Sequence, residues 1–434
     1  MYCSKLDFWL LQLIILNTTL MNRKLLLSTA IIASSIFAQA QQNKFTYAIT
    51  GDGNKDFIWM NIRQVDLSTG QVAKTLFERS KTEFLMNDAS TNKTINQYSF
   101  TNENVFNDAA YPTGTFVAAA ALDARRNKLF CTPMRKGELR WMDLNSNPNA
   151  PEFHTVAIPN FKDVDPNDEA TNITRMVIGA DGNGYAISND ANHFFKFTTG
   201  KKTVITELGN IIDAETNSGI SIHNKCGSWG GDMIADAFGK LYVISASHNV
   251  FVIDVNTRIA TYKGNISGLP AAYTTNAAAV NENGEVVLAS ATQFDGYYVC
   301  NMNDLKAVKM EGSDTKYNSS DFANGNLLLQ KEANSLLNGK ITPIATTNSD
   351  AKVYPNPVTN ASFNVLFENK PAGKYNIIVC DLAGRVVMVK NTQVTEGVFN
   401  QEVKLNKNVT KGIYIVKVTD EKNTSVINEK IIIQ

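Results

Sequence analysis

An all-β chain is predicted: a six-bladed β-propeller, with seven blades as the alternative, followed by a small Ig-like β-sandwich. Three observations predict it. Residues 41–345 carry short β-rich runs broken by Gly, Asn and Asp, without long helical periodicity. A three-strand unit recurs four times within them, its second strands starting about 45–56 residues apart. From residue 353 onward the pattern changes to closely spaced alternating strands.

The N-terminus comes first. Phe8–Leu16 is apolar but shorter than the roughly 20 residues a membrane span needs. Met21-Asn22-Arg23-Lys24 is a short basic start, Leu25–Phe37 an apolar core, and Ala38-Gln39-Ala40 a small-x-small cleavage site. These are the three parts of a secretory signal peptide. Residues 1–20 then read as an upstream extension, 21–40 as the signal peptide, with cleavage marked by Ala38 and Ala40. No later stretch is long and apolar enough to span a membrane as a helix.

In the middle region, each unit runs from an apolar strand to an Asp or Asn, through a turn to a second strand, then to a third. The copies are Phe116–Asp123, Lys128–Cys131 and Leu139–Leu144; Met176–Asp181, Gly184–Ser188 and Phe194–Thr198; Met233–Asp236, Lys240–Ser245 and Val250–Val255; Ala277–Asn281, Glu285–Ser290 and Tyr297–Met302. Turns such as Asp181-Gly182-Asn183-Gly184 supply the positive-φ residues of tight hairpins. A lone sheet cannot bury both faces, whereas sheets stacked around an axis can. Two further blades are expected, one from Phe57–Leu67 and Val72–Phe77, the other from Leu327–Gln330 and Lys340–Ala345. Phe45–Thr50 is expected to close the ring by pairing into the last blade. Residues 78–112 read as a long insertion or a degenerate blade. Gly230-Gly231-Asp232-Met233-Ile234-Ala235-Asp236 with Gly239-Lys240-Leu241-Tyr242-Val243 resembles a blade of secreted Bacteroidetes-type β-propellers, which host many unrelated functions.

Residues 346–352 form a polar linker. The domain at 353–434 opens with Tyr354-Pro355-Asn356-Pro357, where the prolines favour extended backbone. Strands are expected at Phe363–Phe367, Tyr375–Cys380, Val386–Val389, Phe399–Leu405, Ile413–Val418 and Val426–Ile433. The motif residues Tyr354, Pro355, Asn356 and Pro357, then Asp381 and Gly384, then Gly412 and Tyr414, and the apolar end Lys430–Ile433, resemble the type A C-terminal sorting domain of the type IX secretion system. The resemblance implies export across both membranes, the type IX machinery as a partner, removal of this domain, and release or surface attachment.

Composition excludes more than it assigns. Lys+Arg and Asp+Glu are 41 each, a formal net charge of zero, so there is no basic excess for a nucleic-acid partner. Five cysteines do not make a disulfide scaffold; Cys131, Cys300 and Cys380 read as buried hydrophobes, and Cys226 beside His223 is too small a set for zinc. No catalytic motif and no metal site is identified, and no cofactor is expected. Calcium is the ion to consider: Asp52, Asn54 and Asp56, and Asp163, Asp165 and Asn167, have alternating oxygen-ligand spacing, but neither loop has the Gly and Glu of an EF-hand. Propeller geometry instead directs attention to the loops leading into the innermost strands, which contain Thr113, Arg175, Trp229, Asp232, Tyr273, Asn276 and Asp321. Three functions follow: a module binding an extracellular protein or glycan there; a polymer-degrading hydrolase or lyase using Asp232 and Asp321; or a structural adhesion protein. The absence of a catalytic motif favours binding.

Overall fold

The computed structural model describes residues 43–434 except 54–55, 98–110, 162–167, 313–316, 339–350, 369, 382–385, 406–408, 410 and 422–424. The signal peptide, its cleavage residues Ala38 and Ala40, residues 346–350 of the linker, Gly384, Asn54 and the loop Asp163–Asn167 lie outside the described residues, whereas 351–352, expected in the linker, already belong to the first strand of the C-terminal domain.

Five sheets, not six or seven, build the propeller among the described residues. Blade 1 orders Ser319–Ala323, Phe45–Thr50, Asn61–Asp66 and Val72–Phe77 from the axis outward. Blades 2 to 5 begin at the axis with Val117–Asp123, Ile173–Ile178, Asp232–Ala235 and Ala277–Val280. These inner strands neighbour one another cyclically. The hydrophobic core is correspondingly divided into five clusters, one per junction. Ile62 with Val117 seals blades 1 and 2; Phe130 with Phe197 blades 2 and 3; Ile187 with Val243 blades 3 and 4; Ile244 with Leu288 blades 4 and 5; and Ala48 with Ala277 blades 5 and 1. Five junctions for five sheets is a closed ring, and closure removes exposed sheet faces.

The expected count of six arose from treating the two ends as separate blades. Phe45–Thr50 pairs antiparallel with Asn61–Asp66 on one side and with Ser319–Ala323 on the other, so both ends share blade 1. The expected last blade does not form among the described residues: Gln330–Asn338 is helical, and 340–345 lie outside them. Residues 78–112 make no blade among the described residues. Leu85–Asp88 and Lys93–Gln97 form a hairpin attached to the outer edge of blade 2, Leu85–Asp88 lying parallel to Glu152–Ala157.

Local chemistry explains the repeat. Inner strands are rich in small residues, such as Ala119–Ala121 and Ala277–Ala279, because the blades converge there. Alternation points Ala119 and Ala121 toward blade 3 and Ala120 and Leu122 toward blade 1. Turns at the lower rim are held by side-chain oxygens: Asp236 Oδ1 accepts from the Phe238 and Lys240 N–H groups, and Asn281 Oδ1 from those of Asn283 and Glu285. Gly239, at φ 85°, makes the first of these turns without strain.

Among the described residues the C-terminal domain is a seven-stranded antiparallel sandwich that fits an Ig-like domain. Ala351–Tyr354, Ser362–Phe367 and Phe399–Lys404 form one sheet; Val386–Val394, Gly373–Asp381, Gly412–Asp420 and Ser425–Ile433 form the other. Phe363, Val365, Ile377, Val379, Val416 and Ile431 fill the space between them. Asn356 of the Tyr-Pro-Asn-Pro motif completes the last strand like a backbone group. Its Nδ2 donates to Lys430 O at 2.7 Å, and its Oδ1 accepts from the Ile432 N–H at 3.0 Å. Tyr414 is buried in the core, whereas Tyr354 is exposed.

Candidate functional site: the upper face of the ring

The face where the chain enters the inner strands carries the residues singled out from the sequence. Buried arginines anchor its loops. Arg175 is fully buried, and its guanidinium donates to four carbonyls: Gly230 O (3.0 Å), Ser188 O (3.3 Å), Asn189 O (3.2 Å) and Ser228 O (2.5 Å). It staples blade 3 to the loop entering blade 4. Burial pulls its pKa down to about 10, which still leaves it cationic at neutral pH. Arg140 does the same for blade 2, donating to Tyr111 O and Pro112 O while its other edge meets Glu138. Arg63 donates to Gly51 O and Thr50 Oγ1 and lies 3.9 Å from the Tyr317 ring centroid.

Asp232 and Asp321 are brought together, both fully buried, from opposite sides of the ring axis. Asp232 accepts three backbone N–H bonds: Met233 at 2.6 Å, Ala278 at 2.6 Å and Phe322 at 3.3 Å. It thus bridges blades 4, 5 and 1. Neither Asp321 oxygen has a well-formed hydrogen bond; the Asp232 carboxyl and the Ala120 N–H are its polar neighbours. Burial raises both pKa values, Asp232 to about 7 and Asp321 well above the ordinary range, where the Asp232 charge adds to the rise. Two carboxyls this close cannot both ionise cheaply, and the one with no donors keeps the proton. On the axis, Ala120, Met176, Ile234, Ala278 and Phe322 leave a cavity of only about 10 Å³, room for about one water.

The remaining predicted residues are also engaged. Tyr273 is buried, its hydroxyl donating toward Leu288 O and Gly296 O. Half-buried Trp229 donates from Nε1 to His223 O at 3.1 Å, and Lys225 Nζ sits 5.1 Å from its ring centroid. Half-buried Asn276 accepts from the Ala291 N–H. Thr113 is buried, and its hydroxyl has no partner.

Sequence reasoning passed over an aromatic ridge on the same face. Phe294 of blade 5 meets Phe57 of blade 1 (centroids 6.1 Å apart), Phe57 meets Trp59 (6.4 Å), and Trp59 meets Phe116, at the start of blade 2 (5.6 Å). All three contacts are edge-to-face. Phe57 is 48 % exposed. Trp59 and Phe116 root the ridge in the core between blades 1 and 2. The available signal was Phe57-Ile58-Trp59 directly after an Asp-rich loop; it was absorbed into an expected strand that starts only at Asn61.

No metal centre emerges: among the described residues, no group of three or more His, Cys, Asp and Glu could hold one. Asp52 and Asp56 are instead bridged by Arg79, at 2.5 and 3.1 Å. Cys131, Cys300 and Cys380 are buried and free, and Cys226 is free and exposed. Among the described residues no helix is long and apolar enough to cross a membrane.

Residues 352–434 match the family described as the secretion system C-terminal sorting domain. The chain is therefore a type IX cargo, sent to the cell surface or beyond it, and its last domain engages that machinery. No curated protein matches the chain. Solved structures similar to it include PorZ, a surface component of the type IX system of Porphyromonas gingivalis, at 16% identity and TM-score 0.33, covering 89% of this chain and 51% of that one. This chain thus spans about half of PorZ. A putative 6-phosphogluconolactonase from Bacteroides uniformis is 13% identical, with TM-score 0.33, covering 83% of this chain and 99% of that one. Virginiamycin B lyase from Staphylococcus aureus is 10% identical, with TM-score 0.27, covering 72% and 83%. At these scores the propeller assignment rests on the strand order and the five junctions.

Proposed function

We propose that this type IX cargo is a binding module whose propeller engages an extracellular protein or glycan through the upper face, at the Phe57–Trp59–Phe116–Phe294 ridge. The observation that carries this is the ridge itself: four rings from three blades, half-exposed at its summit and rooted in the core. Rigid, core-anchored aromatics lose little entropy on binding and dominate recognition surfaces. The hydrolase alternative has less support. Its two carboxyls, Asp232 and Asp321, are fully buried, and Asp232 is committed to three inner-strand N–H groups.

Hydrogen exchange on the full chain tests this reading. The chain is mixed separately with the protein fraction and the polysaccharide fraction of its own cells' surface material. Protection at residues 56–60, 111–117 and 290–296 with either fraction is expected, and it should vanish in Phe57→Ala/Phe294→Ala. No protection with either fraction, or protection that survives the double substitution, overturns the reading.

A further inference from the structure

We infer that the ridge is a subsite for an uncharged sugar ring, a deepening that rests on the binding reading above. The inference joins the exposed rings to three buried polar groups that lack partners around them: Trp59 Nε1, Asn318 Oδ1 and Ser319 Oγ.

The unpartnered atoms are concentrated. Of ten buried side-chain nitrogens and oxygens without a hydrogen bond among the described residues, seven belong to Trp59, Arg63, Thr113, Asn318, Ser319 and Asp321. All six residues lie in blade 1 or in the segments leading into blades 1 and 2. Native proteins seldom leave such groups unmet without water or ligand, so a cluster marks a place for polar atoms from outside the chain.

Direct bonds bring this cluster to the ridge. The Ser319 N–H donates to Ser290 O, and Asn318 Nδ2 to Ala291 O; both acceptors lie in the loop that carries Phe294. Trp59 O accepts the Val117 N–H next to Phe116, and Ser320 Oγ donates to Val117 O. The rings and the unmet groups thus share one patch, where the inner strands of blades 1 and 2 meet the loop of blade 5.

The chemistry of the patch selects the ligand. Aromatic faces and edges suit the C–H side of a sugar ring, while an indole N–H donor, an amide oxygen and a hydroxyl suit its hydroxyls. Thr274, Ser290 and Thr292 add a hydroxyl network beside Phe294, with separations of 2.9–3.3 Å. The charges nearby are already paired. Arg79 holds Asp52 and Asp56, and Asp295 meets Lys309 at 3.5 Å while accepting from the Tyr298 hydroxyl. Among the described residues little unpaired charge remains there for an anionic sugar or a charged peptide, so a neutral glycan fits best.

The test uses the full chain and defined hexasaccharides: uncharged gluco-, manno- and xylo-oligosaccharides, with polygalacturonate as the anionic control. Binding is read by saturation-transfer NMR and tryptophan fluorescence. At least one neutral hexasaccharide is expected to bind and perturb a fluorescence signal that Trp59→Phe abolishes. Phe57→Ala/Phe294→Ala should weaken it about tenfold or more, and Ser319→Ala severalfold, with unfolding midpoints near that of the parent. A variant with a lowered midpoint is replaced by Phe57→Leu, which keeps apolar volume but removes the ring and carries the same expectation. The inference is overturned if no neutral sugar binds, if only polygalacturonate binds, or if the ridge substitutions leave affinity unchanged. In the first two cases, exchange protection by the protein fraction would still leave the broader binding reading standing.

Discussion

The two halves of the upper face treat their polar groups differently. Between blades 3 and 4 each functional group has a partner within the chain: Arg175 spans four carbonyls, both ring nitrogens of His223 face the carbonyls of Asp190 and Ile211, and Trp229 donates to His223 O. Around blade 1, Trp59 Nε1, Asn318 Oδ1 and Ser319 Oγ have none, and the neighbouring rings reach solvent. The first half is a strap built for rigidity. The second is a solvent-reaching aromatic ridge over buried polar atoms whose hydrogen-bonding capacity is unmet. Functional residue types occur in both, so residue type alone does not separate a strap from a site; partner accounting does.

The sharpest way to break this comparison is to exchange the expected consequences. Arg175→Met removes the only donor shown here for several buried carbonyls and should cost about 3 kcal/mol or more of stability. Phe57→Ala, at a half-exposed ring, should cost less than about 1 kcal/mol. Chemical denaturation followed by tryptophan fluorescence reads the propeller, since Trp59, Trp141 and Trp229 all lie in it. If Phe57→Ala proves as destabilising as Arg175→Met, the ridge is core rather than surface and the contrast collapses.

Next in size is the pair that ties the halves together, Asp232 from blade 4 and Asp321 from blade 1. Both hold protons more tightly folded than unfolded, because burial disfavours their charged forms. A raised folded pKa contributes stability that is fully present below the unfolded value near 3.8 and is lost as pH rises through the folded one. Propeller stability should therefore fall as pH rises from 5 to 8, most steeply below about 7, where both folded carboxyls keep protons that the unfolded chain has lost, and less steeply above it, where Asp321 alone does. Buried Asp236, also raised, adds to the same slope. Asp321→Asn mimics the protonated carboxyl and should remove much of the decline while changing stability at pH 5 by less than about 1 kcal/mol. A flat profile in the parent chain, or an unchanged slope in the variant, would show that the pair does not share a proton.

Much of the fold was legible in the sequence because its units are local. The hairpins at Lys128, Gly184, Lys240 and Val286 follow turn residues and alternation, and the second strand of blade 3 runs over Gly184–Ser188 as expected. The sorting domain was more legible still, since all six expected strands form and its motif occupies the turn that closes the last strand. Blade number was not legible because it depends on one non-local pairing. Ser319–Ala323 reads Ser-Ser-Asp-Phe-Ala, with no apolar run, yet it is the axial strand of blade 1. The site was only half legible. Loops leading to the axis were identified from geometry, but Arg175, Tyr273 and Asp232 bond to carbonyls and N–H groups far away in sequence, and no local pattern encodes those partners.

The smallest expected effect isolates the contrast in a single residue type. Trp229→Phe removes one indole donor and leaves the His223 carbonyl without it, which should cost about 1 kcal/mol beyond the packing change. Trp59→Phe removes a buried donor that bonds to nothing, so the hydrogen-bonding part of its cost should be zero or slightly favourable. Equilibrium denaturation of the two variants, with circular dichroism replacing the lost fluorophore as probe, measures the difference directly. Trp59→Phe should be the milder substitution, although its ring touches two aromatic neighbours, Phe57 and Phe116, on the ridge. An equal or greater loss at Trp59 would mean that ordered water already satisfies its indole in the free protein. A sugar hydroxyl would then have to displace that water, and the hydrogen-bonding advantage of the blade 1 surface over the blade 3–4 strap would shrink accordingly.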